Sequence, residues 1–146
     1  MKVSLHTVLL NVADLDRSVE FYRGVFDFPV VGHREGATAL LVNEHDDGRE
    51  IVLLREVRPN APHPGRGTIG PRAFGFEVTS PEELRLIEQR LEQRNALLTH
   101  THRETWDAIL GADPDRIEIF VASSLTGEPI SREDWRNIDA MVFSMD

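Results

Sequence analysis

The stretch VADLDRSVEFY, residues 12–22, decides how this chain is organised. It follows the run Val8–Val12, whose alternating apolar residues predict a β-strand. Asp14 then stands where the cap of a helix is expected. The apolar residues after this cap recur at helical spacing, at Leu15, Val19, Tyr22 and Phe26. The chain therefore begins with a strand that leads directly into an amphipathic helix.

The same order of elements returns in the second half of the chain. Ser80 is a helix cap followed by a proline, and Glu83 completes a capping box. The caps Asp14 and Ser80 are 66 residues apart, since 80 − 14 = 66. The ends of the leading strands, Val12 and Val78, have the same separation, since 78 − 12 = 66. A constant separation of strand end and helix cap indicates an internal duplication.

Three shorter strands are predicted after each helix, so that each half is a βαβββ unit. In the second half they lie near residues 97–102, 105–110 and 116–121. The duplication divides one domain, residues 1–146, into module one (about 3–58), a proline- and glycine-rich linker (59–71), module two (about 72–122) and a tail (123–146). Trp135 and Ile138 make the tail apolar, which predicts that it packs on the domain or on a partner chain.

Composition narrows the class of protein. The formal net charge is −9, which disfavours nucleic acid as a partner and is compatible with a cationic ligand. There is no cysteine, and no apolar run approaches the roughly 20 residues that a membrane-spanning helix needs. The first residues do not form the apolar core of a signal peptide. We therefore expect a cytoplasmic protein that binds neither nucleic acid nor a membrane.

Residues 12–22 resemble the first-helix signature of the vicinal-oxygen-chelate superfamily, which includes glyoxalase I, bleomycin resistance proteins and extradiol dioxygenases. Phe74–Val78 resembles the leading strand of that group's second module. Ala112–Asp115, followed by Ile117–Ile119, resembles its final hairpin and strand. The resemblance covers about residues 3–122.

The resemblance implies an α+β fold in which two tandem βαβββ modules form a U-shaped open barrel, with helices on the outer face and a concave cavity inside. Strand alternation then predicts which residues face the cavity. From the leading strands these are Thr7, Leu9, Asn11, Ala73, Gly75 and Glu77, and from the last strand Glu118 and Phe120. Ala73 and Gly75, being small, are expected to leave room for a ligand.

Enzymes of this group hold a divalent metal, such as Fe, Mn, Zn or Ni, through His or Glu side chains of the leading and last strands. The repeat places those positions at Thr7, Val52, Ala73 and Glu118. Only Glu118 is a good ligand, so we predict no metal cofactor. The alternative is that a bulge turns His6 into the cavity, where His6 and Glu118 would bind a metal.

Other polar residues suit binding or catalysis. Glu118 could act as a general acid or base, together with His102 of the sixth strand. His100 and His102 share one face of that strand, which is either solvated or a cavity wall. Arg72 could contact an anionic group, although surface arginines more often form ion pairs. Trp106 lies in either the pocket or the core.

Three functions follow from these residues. The first is a metal-free protein that binds and sequesters a small organic molecule, as bleomycin resistance proteins do. The second is a metal-dependent lyase, isomerase or ring-cleaving dioxygenase, and the third is a metal-free enzyme that uses Glu118 with His102. The resemblance also implies a homodimer. Because fold alone does not establish catalysis, whether the protein is an enzyme stays open.

Overall fold

The computed structural model describes residues 1–43, 48–63, 69–71 and 73–143, the last five of these as backbone only. The chain divides into two compact units, Met1–His63 and Pro64–Asp146. Each unit contains one βαβββ module with a four-stranded mixed sheet. The predicted α+β class with two tandem modules is therefore confirmed.

Unit 1 forms one open sheet and one helix. Its elements are β1 (Thr7–Val12), α1 (Leu15–Phe26), β2 (Val30–Arg34), β3 (Ala37–Leu41) and β4 (Ile51–Glu56). The strand order is β1-β4-β3-β2. β1 and β4 are parallel, and the other pairs are antiparallel.

The helix α1 begins at the predicted cap. The Asp14 carboxylate accepts a hydrogen bond from the backbone N–H of Arg17 at 3.0 Å. Glu56 adds a second acceptor for the N–H of Leu15, also at 3.0 Å. These two carboxylates satisfy backbone donors that the first turn leaves without partners. The buried side of α1 is rotated from the predicted stripe and consists of Leu15, Ser18, Phe21, Tyr22 and Val25.

Unit 2 repeats this design and adds a helix. Its elements are β5 (Ala73–Val78), α2 (Pro81–Gln93), β6 (Leu97–His102), β7 (Trp106–Ala112), β8 (Glu118–Ser124) and α3 (Arg132–Phe143). The strand order is β5-β8-β7-β6, which matches that of unit 1. None of the described helices is long and apolar enough to cross a membrane.

The predicted capping box of α2 is confirmed. The Ser80 hydroxyl accepts from the N–H of Glu83, and the Glu83 carboxylate accepts from the N–H of Ser80, both at 3.2 Å. Glu83 also accepts from the Thr79 hydroxyl at 2.7 Å. The hydrogen bond from this hydroxyl lowers the pKa of Glu83. Burial acts in the opposite direction but is the smaller effect, so the pKa lies below its usual range.

The hairpin between β7 and β8 starts the last strand later than predicted. Asp113 is buried, and its Oδ1 accepts from the N–H groups of Asp115 and Ile117 at 2.8 and 2.9 Å. Arg116 adopts the left-handed conformation, with φ of 65°. This turn occupies the residues up to Ile117, so the strand runs over Glu118–Ser124 and not over 116–121.

Each sheet has two faces, which we name by the helix that follows its leading strand. The helix face packs on α1 or α2, and the far face is the opposite one. In unit 1 the helix face contains Val12, Leu40, Val52 and Leu54, each at most 1% exposed. In unit 2 it includes Gly111, where a Cβ would lie 3.0 Å from Cδ1 of Leu91 of α2.

Candidate functional site

The far face of the first sheet carries three residues predicted to bind a ligand. Each of them is aligned with a residue of β4: Thr7 with Ile51, Leu9 with Leu53 and Asn11 with Arg55. Leu9 is 48% exposed, although it is a large apolar residue. The Arg55 Nε donates to Asn11 Oδ1 at 3.1 Å. This face thus offers apolar surface beside a held guanidinium group.

The predicted orientation of Val52 is wrong. Val52 is aligned with Val8 and is 1% exposed, because it lies on the helix face. The cause is helix length, since α1 has 12 residues and α2 has 13. The separation between equivalent residues is therefore 66 in the leading strands, before the helices, and 67 in β4 and β8. The residue that corresponds to Glu118 is Ile51, since 118 − 51 = 67.

His6 precedes β1 and is exposed. Its backbone carbonyl accepts from the N–H of Ile51 at 2.9 Å, and its Nδ1 lies 2.7 Å from the Thr7 hydroxyl. The pairing of β1 with β4 runs from Thr7 to Val12 without a register shift. The described residues therefore lack the bulge that the metal-binding alternative for His6 requires.

The far face of the second sheet carries most of the other predicted site residues. Ala73 is aligned with Glu118, Gly75 with Phe120 and Glu77 with Ala122. A Cβ placed on Gly75 would lie 2.1 Å from Cε2 of Phe120. The Phe120 ring therefore occupies the space above Gly75, and the prediction of free room for a ligand there is wrong.

The C-terminal helix covers this second far face. Trp106 and Phe120 are buried there in one apolar cluster with Ile130 and Ile138. Trp135 of α3 meets the Phe120 ring edge to face, with centroids 6.0 Å apart. Trp106 is thus part of the core beneath α3, which resolves the alternative that its strand position left open. The described side chains of the tail, up to Ile138, thus include residues that pack on their own unit.

Hydrogen bonds hold the segment that leads into α3. Glu77, predicted to bind a ligand, accepts from the N–H of Ile130 at 2.9 Å through Oε1. Thr105 donates from its hydroxyl to Asp134 Oδ2 at 3.3 Å. Ser131 begins the helix, because its side chain accepts from the N–H of Asp134 at 3.0 Å. In this structure Glu77 binds the chain's own backbone.

The predicted catalytic residues Glu118 and His102 lie on opposite faces of the second sheet. Glu118 is aligned with Ala112, and His102 with Asp107. Residues 107 and 112 of one strand point to opposite faces because side chains alternate. Glu118 is half-buried on the far face, whereas His102 is exposed on the helix face. The structure therefore does not bring them together as an acid–base pair.

His102 belongs instead to a polar cluster beside α2. Its Nδ1 lies 2.5 Å from Asp107 Oδ1. His100 lies on the same face, with Nδ1 2.7 Å from Glu88 Oε1 and Nε2 3.8 Å from Asp107 Oδ1. Carboxylates from α2 and β7 therefore engage both rings, and this face of β6 is the solvated one.

The donor set does not fit the divalent metal that the resemblance implies. The strand positions that would supply ligands hold Thr7, Ile51, Ala73 and Glu118. The apolar side chains of Ile51 and Ala73 and the neutral hydroxyl of Thr7 do not replace imidazole or carboxylate as metal ligands. In the part of the chain that the structure describes, no three His, Cys, Asp or Glu side chains are grouped to hold a metal ion. Arg72 lies outside the described residues.

A shallow depression of about 230 Å³ lies in unit 1. Strands β2, β3 and β4 line it through Gly32, His33, Arg34, Ala37, Ala39 and Leu53. The sequence predictions missed Arg34 and Ile51. Alternation within β2 could have indicated Arg34, but β2 contains a register irregularity beside Val30. The apolar tail predicts packing, but it does not predict that the backbone N–H of Ile130 donates to Glu77.

Comparison with known proteins agrees with this architecture. The sequence model of the Glyoxalase/Bleomycin resistance protein/Dioxygenase superfamily matches residues 4–121. A glyoxalase/bleomycin resistance protein/dioxygenase domain from Frankia sp. EAN1pec superposes with a TM-score of 0.71 at 20% identity, covering 88% of this chain and 96% of that one.

Two further solved structures share the fold at low identity. Lactoylglutathione lyase from Agrobacterium tumefaciens has a TM-score of 0.62 at 22% identity, covering 84% of this chain and 95% of its own. The fosfomycin resistance protein FosX from Listeria monocytogenes has a TM-score of 0.67 at 14% identity, covering 92% and 98%. No curated protein matches the chain. At these identities the structural likeness establishes the fold alone.

Proposed function

This chain belongs to the Glyoxalase/Bleomycin resistance protein/Dioxygenase superfamily, and we propose that it binds a small organic molecule without the help of a metal ion. Its role would be sequestration, as in the bleomycin resistance branch of the family. The observation that carries this proposal is the donor set at the strand positions where the family holds its metal. Thr7, Ile51 and Ala73 are poor ligands, and Glu118 alone does not hold a transition metal against water.

We place the ligand on the far face of the first sheet. Three features support this choice: the half-exposed Leu9, the guanidinium group of Arg55 beside Asn11, and the depression lined by β2, β3 and β4. Concave, mostly apolar surface with a few oriented polar groups is what small-molecule sites use. Thr7, Leu9 and Asn11 keep the roles predicted for them.

The far face of the second sheet is a poorer candidate. The side chains of Phe120 and Trp135 fill it, and Glu77 is engaged with the backbone of Ile130. A ligand that used Ala73, Gly75 or Glu77 would have to displace α3 and expose the cluster around Ile138.

The test has two parts and uses the full chain purified without an affinity tag. Elemental analysis before and after incubation with Fe, Mn, Zn and Ni measures retained metal, and we expect less than about 0.1 ion per chain. A screen of small anionic, neutral and cationic organic compounds by ¹H–¹⁵N NMR then maps binding. We expect hits to shift the amides of β1–β4 on the far face, equally with and without a chelator.

A stoichiometric metal ion would overturn the metal-free proposal and favour a lyase, isomerase or dioxygenase. Retained metal would be assigned by repeating the analysis on Glu118→Gln, because Glu118 is the one strong ligand among the four strand positions. Compounds that shift only amides of unit 2 would overturn the placement on the first sheet. Chemical turnover of a bound compound without metal would replace sequestration by catalysis.

A further inference from the structure

The far face of the first sheet is polar at one end and apolar in the middle. The strand pairing sets Arg34 of β2 beside Ala37 of β3, Ala37 beside Arg55 of β4, and Arg55 beside Asn11 of β1. Directly aligned residues point to the same face of a sheet. These four residues therefore form one row across the sheet, in which one arginine lies on each side of the methyl group of Ala37.

The neighbouring row has a different chemistry. It consists of Gly32, Ala39, Leu53 and Leu9, taken in the same strand order. All four are apolar, and the first two are small enough to leave a hollow. The depression of about 230 Å³ lies where this row meets the arginine row, since its lining includes Arg34, Ala37 and Leu53. The hollow is thus apolar along one wall and cationic at one end.

Arg34 and Arg55 keep one end of this far face positively charged. A guanidinium group stays charged at every physiological pH and presents a planar fork of donors. Neighbouring strands are roughly 4.8 Å apart, so the backbones of Arg34 and Arg55 are about 10 Å apart across Ala37. No carboxylate among the described residues forms an ion pair with Arg34 or Arg55. Asn11 holds Arg55 on this face by accepting from its Nε.

We propose that the depression beside Arg34 is a subsite for the anionic group of a small organic anion, such as a carboxylate or phosphonate, with its apolar body lying on Ala39 and Leu53. This proposal rests on the proposed function, because it names the ligand class for the same face. The net charge of −9 by itself favours a cationic ligand. The local charge of the row at Arg34 and Arg55 is opposite and decides the preference at short range.

The chemistry of recognition is that of an arginine fork. Two parallel N–H donors match the two oxygens of a carboxylate or two oxygens of a phosphonate. The volume of the depression, about 230 Å³, is below that of a typical site for a drug-sized ligand. It therefore suits one charged group and a few carbon atoms, while the remainder of a larger ligand would extend over Leu9.

The experiment compares three probes that share a phenyl ring and differ in charge, on the ¹⁵N-labelled full chain. Benzoate is anionic, benzamide is neutral and benzylammonium is cationic. We expect benzoate to shift the amides of Gly32, Arg34 and Ala39, with an affinity at least about tenfold above that of the other two. Arg34→Gln should lower the benzoate affinity about tenfold or more. The control Arg85→Gln, an exposed arginine on α2, should change it less than twofold.

Two results would overturn the anionic subsite while leaving the proposed function standing. One is equal affinity of benzoate and benzamide at these amides, and the other is unchanged benzoate binding in Arg34→Gln. The variant's own spectrum checks its fold, because amides of unit 2 should keep their positions. By contrast, if no compound of the broader screen shifts any far-face amide of β1–β4, the proposed function itself fails.

Discussion

The two sheets have the same strand order, but their far faces differ in burial. On the first sheet Leu9 stays half exposed, and the one described helix of unit 1 packs on the opposite side. On the second sheet the equivalent position is Gly75, since 75 − 9 = 66, and the Phe120 ring lies directly above it. Behind that ring stand Trp135 and Ile138 of α3. The first far face is partly exposed, and the second is part of the core of unit 2.

This difference teaches that a duplicated module need not duplicate its site. The βαβββ unit buries only one face of its sheet against its own helix. The other face must be solvated, covered by further chain or used for binding. In unit 2 the added helix covers it, whereas unit 1 has no such addition among its described residues. The following changes test that contrast, beginning with the largest expected effect.

Ile138→Ala should have the largest effect, because it weakens the packing of α3 on the far face of the second sheet. Ile138 is 0% exposed within the apolar cluster, and removing three buried carbons costs about 2–4 kcal/mol of unfolding free energy. Urea denaturation followed by circular dichroism measures this loss. Leu86→Ala, an exposed leucine of α2, is the control and should cost less than about 0.5 kcal/mol. Similar losses in both variants would mean that α3 is not part of the core.

Gly75→Ala compares the two far faces at equivalent positions. The added methyl group would meet the Phe120 ring at 2.1 Å, so the ring must move and the expected loss is about 1–3 kcal/mol. The matched change Leu9→Ala should cost less than about 0.5 kcal/mol, because Leu9 is 48% exposed. Denaturation of both variants under one condition gives the difference. The contrast fails if Leu9→Ala is the more damaging.

Glu77→Ala should loosen the segment before α3. It removes the acceptor of the Ile130 N–H, and the expected loss is about 1 kcal/mol. Hydrogen exchange of the Ile130 amide is the specific readout and should become at least about fivefold faster. The equivalent residue in unit 1 is Asn11, since 77 − 66 = 11. Asn11→Ala should leave that exchange rate unchanged, and an unchanged rate in Glu77→Ala would contradict the role of Glu77.

The smallest effect concerns acid stability. The Thr79 hydroxyl lowers the pKa of Glu83 in the folded chain, so its contribution is present above the unfolded pKa and is lost as pH falls through the folded one. The unfolding free energy should decrease less between about pH 5 and pH 3 in Glu83→Gln than in the unchanged chain. The difference should be less than about 1 kcal/mol, because Glu83 is exposed. The equivalent residue of α1 is Arg17, since 83 − 66 = 17.

Arg17→Gln is therefore the control for that measurement. It changes a side chain at the same helical position, but it removes no carboxylate from a capping box. The slope of stability against pH between about pH 5 and pH 3 should match that of the unchanged chain. If Glu83→Gln has the same slope as Arg17→Gln, the capping box does not contribute to acid stability.

Local patterns predicted the elements and much of their orientation. Asp14 and Ser80 cap their helices as expected, because a cap depends on only a few consecutive residues. Alternation also placed Gly75 and Phe120 on one face, since it is a property of a single strand. Both patterns depend only on residues that are close in sequence, so they can be read without knowing which distant parts of the chain pack together.

Relations between strands were harder to predict. The error at Val52 arose because α2 has one more residue than α1, so equivalent residues of β4 and β8 are separated by 67 and not by 66. His102 could not be assigned to a face because β6 alternates threonine with histidine, and both are polar. A register irregularity between Leu97 and Thr99 disturbs the same strand. An apolar tail predicts packing, but only the folded chain reveals that Ile138 meets the face of Glu77 and Phe120.

The position of α3 in the chain has a consequence for synthesis. The strands of unit 1 are complete at Glu56, so its sheet can form while the ribosome is still making unit 2. The far face of the second sheet, by contrast, stays uncovered until Ile138 has left the ribosome, about 14 residues after β8 ends, since 138 − 124 = 14. During that interval Trp106 and Phe120 are exposed to other chains. Slow emergence of the segment between Ser124 and Ile138 from the ribosome would therefore raise aggregation more than slow emergence of any segment of the first module.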